Sequence, residues 1–572
     1  MPTKDPQAVP FPLSSFPGAD SQESGGRLIN CVAEPLGDAD SKSAPAQVVW
    51  RRQPGLSVFG RTSQSGYRGG LIVNQNSYEV WNNHVMTLAS TGAVSDLGAF
   101  PGSKFVSIAR NQVGPLPDVI AVDPDIGAYR LSGGGAPAPF NGGGVLPQPT
   151  SVGFQDGYFF FTIGDGRVFA TNVNSLTMNA LTFATIASRA DVTLLRGIPF
   201  GSLMYFFSTG HCELWQDVAN PTPAFPYQRY GVLETGLLQT GAIAGFETGF
   251  GELLFVSQDF GVYWLSGGQA KPQKVSPPDL DRLIETAARA GQLLEAGCYE
   301  YAGKKFWHLS SPSWSWEFNL GTARWNERWS LLPSGIHGRW RASGGHFAFG
   351  KWLLGDEQSG NMLFIDPSNP TECGRPMLWR MESGPVKIFP QRVRVARMDC
   401  DYVAGVGLAV GNFTMRVQGA AAGAGGMVRL TVEDTSRVRD HDMIQVTNVG
   451  GTVEANGVWP AQLVDDTHVE LIGTVFANAW TSGGTAVDIT SPPEAIDPKV
   501  AISWSHNGGK TFGNPLIRRL GQQGVTRRRR VGVKNLGLSG PMGTRYRLDV
   551  TDPVYTALMG ATQSSDPRVV GA

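Results

Sequence analysis

From about residue 67 the chain repeats one pattern. An apolar strand is followed by a turn of Gly or Asp, a second strand rich in aromatics, and a looser connection. The third repeat shows it best. Ser151, Val152, Gly153 and Phe154 lead to an Asp156-Gly157 turn, a strand over 158–162, a Gly164-Asp165-Gly166 turn, and a return through Arg167, Val168, Phe169 and Ala170. Tyr205-Phe206-Phe207-Ser208 with Glu213-Leu214-Trp215 repeats the pair, as does 253–257 with Val262-Tyr263-Trp264-Leu265. Units begin near Gly69, Phe105, Ser151, Val192, Ala242, Ala296 and Trp340, roughly 40–54 residues apart, as blades of four strands are. Seven such units predict an all-β chain built on a β-propeller of six or seven blades. A sandwich needs only one shorter set of strands.

One window breaks the strand period. Leu280, Leu283, Ile284, Ala287, Leu293 and Leu294 fall near helical spacing and predict a helix over 280–296, with Asp279 as its N-cap. Before the repeats, prolines at 2, 6, 10, 12, 17, 35, 45 and 54 predict an extended arm over 1–60 that wraps along the body or a neighbour. The propeller takes 61–372. Past Cys373 the pattern changes again, with strands expected at 377–381 and 392–397, charged on one face. Residues 373–404 and 491–572 then read as two parts of one C-terminal β-sheet or sandwich domain. Between them, 405–490 carries the Gly/Ala-rich run 419–426 and short strands near 428–432, 443–446 and 468–472. It reads as a small all-β module inserted in a loop, which costs little in closure entropy.

In the last segment Val500, Ile502 and Trp504 alternate with Ala501, Ser503 and Ser505, the period of a half-buried strand. Asn507-Gly508-Gly509 turns the chain, and Thr511-Phe512 is expected to begin the return strand. Ser505, Asn507, Gly509, Thr511 and Phe512 form an Asp-box hairpin pattern, with Asn in the Asp place and Phe in the Trp place. Arg518 and Arg519 follow, then Arg527, Arg528, Arg529 and Arg530. From residue 501 onward eleven Lys/Arg face three Asp, although the whole chain has a formal charge of −1. Three readings stay open for these arginines: a solvated, snorkelling face, pairing with carboxylates of a neighbouring protein, or phosphate contact. Protein contact is the reading carried forward.

Composition narrows the class. With 73 Gly, 38 Pro, 10% aromatics and 17% charge in 572 residues, the chain suits short strands and tight turns in two or more domains. Near-neutral charge argues against a dedicated DNA binder. Cys31, Cys212, Cys298, Cys373 and Cys400 are scattered without a CxxC pair, which predicts reduced thiols and synthesis in a cytoplasm. The N-terminus carries no apolar run, so neither a signal peptide nor a membrane span is expected.

Candidate chemistry is thin. Asp boxes also mark sialidase propellers, but those need an arginine triad, a Tyr/Glu nucleophile pair and boxes in several blades, whereas one box stands here outside the repeats. Asp123-Pro124-Asp125 with Gly127 lacks the spaced ligands and terminal Glu of a calcium loop. His211-Cys212 has no second ligand set. Trp314, Trp316, Trp325, Trp329, Trp340 and Trp352 offer either a sugar platform or blade packing, and their strand positions favour packing. No catalytic, metal or cofactor residue is assigned, and the chain is not expected to be an enzyme.

The C-terminal segments PKVAISWSHNGGKTF, IRRLGQQG, RRRRVGVKNLG and YRLDVTDPV resemble the packaged-DNA stabilization proteins of short-tailed bacteriophages, also called tail hub or nozzle proteins. RLINCVAEP and RRQPGLSVFG near the start, Trp325-Asn326-Glu327-Arg328 and Leu353-Leu354-Gly355-Asp356 extend the likeness over most of the chain outside the insert. The resemblance implies a non-enzymatic part of the virion tail, a homo-oligomeric ring of six copies in the family. Such a ring lies below the portal and its adaptor, extends the DNA channel, retains packaged DNA and seats the tail needle and tailspikes or fibres. DNA passes through it without sequence-specific binding. The insert departs from the family pattern. Rival expectations are a carbohydrate-binding, sialidase-like propeller and a monomeric protein-interaction scaffold.

Overall fold

Seven blades of four strands, five of them separate four-stranded antiparallel sheets, follow one another along the chain in a computed structural model that describes residues 6–36, 47–131, 135–186, 193–221, 223–266, 271–387, 392–403, 414–435, 438, 440–489, 498–521 and 528–566. The blades open on Tyr67–Val73, Ser107–Arg110, Pro149–Gln155, Leu194–Phe200, Ile243–Ala244, Glu295–Tyr301 and Ala342–Ala348. In the seventh, Lys351–Asp356 and Asn361–Asp366 supply the next two strands and Gly55–Arg61, from before the first blade, supplies the fourth. Of the two counts left open by the repeat, the described residues form seven. The chain divides into two units: Phe59–Arg328 with Gly338–Phe364, which holds the blades, and Met1–Val58 with Trp329–His337 and Ile365–Ala572.

Alternation along single strands makes the blades stack. In Tyr158–Ile163, Phe159 and Phe161 enter a core shared with blade 2 through Ile120 and Val122. Phe160, pointing the other way, enters the core shared with blade 4 through Met204 and Phe206. Both faces of a central blade strand are therefore buried, which is why these strands read as unbroken apolar runs. Tyr205 and Phe207 carry the pattern on into blade 5. Phe59, Trp81, Leu88 and Leu353 share the cluster that joins blade 7 to blade 1. Within this unit the closing strand is fixed by the Thr62 N–H to Gly360 O bond of 2.7 Å, the Arg61 Nε to Asn361 Oδ1 bond of 2.9 Å, and Phe59 stacked on Phe349 at 5.7 Å.

The helix is shorter than the apolar spacing predicts. It runs Pro278–Arg289, is preceded by Pro277 without a side-chain cap, and buries Leu280, Ile284 and Ala287. Asp279 is no N-cap. It sits in the first turn beside Arg282, where a carboxylate suits the helix dipole. Gly291, at φ +67°, lies just past the end, and Leu293 and Leu294 lead into the strand Glu295–Tyr301.

In the other unit two sheets share one core. The first runs Cys31–Pro35, Val48–Arg52, Ala557–Asp566, Arg394–Val403, Arg528–Leu538, and Gln7–Ala8 also pairs with Ala557–Asp566. The second takes Arg27–Ile29, Trp379–Glu382, Arg545–Val550, Lys499–Ser505 and Leu516–Arg519. Cys31, Met398, Cys400 and Val533 of one meet Leu28, Met381, Ile502 and Leu548 of the other. Tyr546 Oη donates across the core to Gln563 Oε1 at 2.7 Å. The N-terminal segment is thus woven into both sheets. Thr414–Ala422, Val428–Val432, His468–Leu471, Gly457–Asp465, Met443–Thr447 and Thr485–Asp488 close a barrel around a separate core of Met415, Leu430, Ile444 and Val469. Of the Gly/Ala run, 419–422 lies on the first barrel strand and 424–426 in a 3₁₀ turn.

Two outcomes follow from these cores. Phe160→Ala removes a fully buried ring between blades 3 and 4 and is expected to destabilise the propeller by about 3–5 kcal/mol, measured by denaturant unfolding. Replacing 405–490 by a short linker is expected to leave the remaining core folded, because the barrel apolar residues pack on one another. An insoluble deletion variant beside soluble full-length protein refutes this.

Candidate functional site

The sequence-expected site residues lie along the outer strands of the C-terminal sheets. Arg528, Arg529 and Arg530 occupy the exposed end of Arg528–Leu538, the outermost strand of its sheet. Arg527 lies outside the described residues. Arg528 Nε donates to Asp401 Oδ1 at 3.0 Å and Oδ2 at 3.1 Å on the paired strand, and this bond holds the Asp401 carboxyl below its usual range. One of the run is therefore already paired within its own sheet. Arg529 and Arg530 remain exposed, with Lys534 further along. Arg518 is half-buried on the outermost strand of the second sheet, with its Nε on Gly532 O at 3.1 Å. That bond ties the two outer strands together. Arg519 is exposed beside Ile517, itself 53% exposed. The other end of the Arg528–Leu538 edge is covered, since Leu536 O accepts from Trp504 Nε1 at 3.2 Å and meets His506 Nε2 at 2.7 Å. Such side-chain bonds block strand addition there.

The Asp-box residues build a hydrogen-bonded turn. Ser505 Oγ accepts from Gly509 N at 3.0 Å, and Asn507 Oδ1 accepts from Thr511 N at 3.1 Å. Asn507 Nδ2 donates to Thr511 Oγ1 at 2.8 Å, a bond that a carboxylate at 507 cannot give. Phe512 lies under the Arg547 guanidinium, 3.9 Å from its ring centroid. The return strand begins at Leu516 rather than Thr511, because the hydrogen bonds of Thr511 are already committed to the turn. The other flagged groups are structural too. Asp123 is buried, pairs with Arg68 and accepts from Lys104 N at 3.1 Å and Asp125 N at 2.7 Å. His211 is buried against Ser208 Oγ at 3.2 Å. Trp316, Trp325, Trp340 and Trp352 are buried and Trp314 is half-buried in the blades, while Trp329 is half-buried in the other unit, so they present no open platform. Among the described residues no three His, Cys, Asp or Glu converge as metal ligands.

The propeller axis was not legible in the sequence. Adjacent inner strands approach at glycines: a Cβ at Gly153 would stand 3.0 Å from Gly197 O, and one at Gly297 only 2.0 Å from Gly344 O. Backbone bonds cross between blades, Val106 N to Arg68 O at 3.0 Å and Ala296 N to Gly241 O at 2.8 Å. Seven strands at a spacing of ~5 Å enclose a circle on the order of 5–6 Å in radius before side chains are added. That space is occupied. The Arg196 guanidinium, from blade 4, lies 4.3 Å from the Phe105 ring centroid and 5.0 Å from that of Phe246, and donates to Thr240 O at 2.7 Å. A Cβ at Gly241, heading blade 5, would touch Phe105 Cβ at 3.5 Å, though Phe105 heads blade 2. Glu247 Oε2 accepts from Cys298 Sγ at 3.2 Å, and burial raises the Glu247 carboxyl and lowers the Arg196 guanidinium to about 10. Side chains from blades on opposite sides meet, and the axis is plugged.

Beside the plug, Glu79 is fully buried in blade 1. Its Oε2 accepts from Trp81 Nε1 at 3.0 Å, its Oε1 has no hydrogen-bond partner, and His346 Nε2 stands 3.8 Å away. Burial lifts the Glu79 carboxyl from 4.5 to about 7 and drops His346 to about 4. His346 bonds Tyr67 Oη at 3.1 Å and Ser77 Oγ at 2.7 Å. A raised carboxyl stabilises the fold below its unfolded value near 4.5, and that contribution is lost as pH climbs through about 7.

The fold thus defines a seven-bladed β-propeller in one unit, with paired sheets and a barrel in the other. Among profiles of known families, that described as bacteriophage P22 Gp10, beta-propeller, in the phage-stabilisation group, matches residues 38–369. That is more than half of the chain, and the chain belongs to this family of phage packaged-DNA stabilization proteins. It is a phage structural protein of the virion. The comparison with curated proteins returns no match. Similar solved structures include virginiamycin B lyase from Staphylococcus aureus, at 10% identity and TM-score 0.35 over 54% of this chain and 99% of that one. They also include the WD40 β-propeller domain of Doa1, at 10% identity and TM-score 0.34 over 54% of this chain and 97% of that one.

Glu79→Gln, which keeps the carboxyl site neutral at every pH, is expected to gain stability over wild type as pH rises from ~5 to ~8, by on the order of 2–3 kcal/mol. Parallel melting curves at several pH values check this, and a difference that does not change with pH refutes it.

Proposed function

We propose that the protein is a tail hub, or nozzle, subunit whose copies close into a ring below the portal and adaptor of a short-tailed phage. The ring extends the DNA channel, keeps packaged DNA from leaking and seats the needle and tailspikes or fibres. The observation that carries this reading, beyond family membership, is the plugged axis. A duplex whose major groove alone is ~12 Å wide cannot thread a bore of this size. A conduit therefore has to form between copies, with each propeller serving as a rigid stave in its wall. Head-to-tail contacts that close on themselves make such a ring. The exposed arginines at 519, 529 and 530 support a protein contact more than a DNA grip, because Arg528 and Asp401 already show the strand taking a carboxylate, and tight phosphate binding opposes ejection. The protein has no assigned chemistry. Among the described residues a hydrolase reading has neither an arginine triad nor an open aromatic platform behind it.

Two measurements test the reading. Labelled antibody on virions is expected at the head–tail junction, and heads assembled without the protein are expected to lose DNA. Label elsewhere, or DNA retention without the protein, overturns it. Replacing residues 527–530 by alanine is expected to weaken attachment to tail-less heads on the order of tenfold and to flatten its salt dependence, with the propeller still folded. Attachment equal to wild type at every ionic strength assigns these arginines to a solvated face.

A further inference from the structure

The insert and the sheet edge carry opposite charge. Residues 405–490 hold four arginines and no lysine against nine carboxylates, a net charge of −5 in a chain whose total is −1. Two of those arginines are committed inside the barrel, Arg429 to Glu470 at 2.6 Å and Arg416 beside Glu433. At one end of the barrel the turn after Gly457–Asp465 presents Asp465, 53% exposed, and Asp466, 84% exposed, with Leu463 and Val464 each about 40% exposed beside them. Asp440 joins this end, where its Oδ1 accepts from Leu463 N at 2.8 Å. The partners these carboxylates already have leave them open to solvent: Asp465 meets His468 at 2.8 Å, and Asp466 stands 3.8 Å from Arg375.

The sheet edge is its counterpart. Arg519, Arg529, Arg530 and Lys534 are exposed there, together with Ile517 at 53% and Leu516 at 37%. Each surface mixes aliphatic side chains with charge mainly of one sign, and the signs are opposite. One surface is acidic and the other basic on the same chain, so a contact between copies joins unlike patches and leaves one of each free. That is a heterologous contact, the type that propagates and closes into a ring.

We propose that the acidic end of the barrel, centred on Asp440, Asp465 and Asp466, docks on the basic outer edge of a neighbouring copy, centred on Arg529, Arg530 and Lys534. The inference rests on the ring reading and gives it a specific contact. Guanidinium forks meet the aspartates at the rim, and Leu463 and Val464 meet Ile517 and Leu516 between them. The insert is then the clasp of the ring, supplied by a module that the rest of the fold does not require.

Charge reversal tests this on the full chain. Asp440→Lys, Asp465→Lys and Asp466→Lys form one set, and Arg529→Glu, Arg530→Glu and Lys534→Glu the other. Copies per particle are counted after assembly onto tail-less heads, with subunit association read by sedimentation at low ionic strength. Each set alone is expected to lower association on the order of tenfold or more, since like charges then face each other. A mixture of the two variants is expected to recover assembly with the two kinds of copy alternating, because both unlike junctions, lysine end on glutamate edge and aspartate end on arginine edge, are complementary. Both sets in one chain are expected to restore assembly, which also excludes misfolding as the cause of the loss. Single-set variants that assemble like wild type, or a full swap that fails to recover, overturn the contact. Wild-type protein found away from the head–tail junction overturns the ring reading instead, so the two failures are distinguishable.

Discussion

Closing a ring of sheets without a free edge is the constraint on which this molecule depends. Each blade buries both faces of its central strands against neighbours, as Phe159, Phe160 and Phe161 show, so a missing neighbour would expose a whole apolar face. The first and last blades have the same need. They meet through Phe59, Trp81 and Leu353, and the outer strand of blade 7 comes from Gly55–Arg61, far from its partners in sequence. Covalent continuity of the chain is thereby used to lock the circle.

Closure has a second consequence at the axis. Seven inner strands can stand this close only where side chains are absent, hence the glycines facing backbone oxygens at Gly153 and Gly297. The space left is filled by Phe105, Arg196 and Phe246. A buried guanidinium is tolerated because it lies between two aromatic faces, holds a backbone carbonyl and has Glu247 nearby. Side chains of blades 2, 4 and 5 are thereby held in mutual contact at the inner strands.

The other unit handles charge where the propeller handles shape. Its sheets pair Arg380 with Asp549 at 2.7 Å and Arg528 with Asp401, both across neighbouring strands, so part of the basic excess is spent internally. What remains collects on two outer strands that Arg518 links to one another. The barrel keeps its own core, and three of its carboxylates, Asp440, Asp465 and Asp466, meet at one end. Independent packing is what lets an inserted module carry a surface charge opposite to that of its host.

The all-β class, the seven repeats and the basic tail were legible because each rests on local periodicity or composition: alternating apolar strands, Gly and Asp turns, a run of arginines. The Asp-box residues and the strand Lys499–Ser505 were legible for the same reason. Where the local pattern gave out, tertiary packing decided. Leu293 and Leu294 continue a helical spacing, but the chain there is leading into a blade strand, so the helix stops at Arg289. Asp279 has the chemistry of a cap, yet the position belongs to Pro277. Phe105, Arg196, Phe246, Glu247 and Cys298 are spread over nearly two hundred residues with no shared spacing, and Glu79 and His346 stand farther apart still. Their meeting depends on ring closure, a global geometric condition that no window of sequence contains.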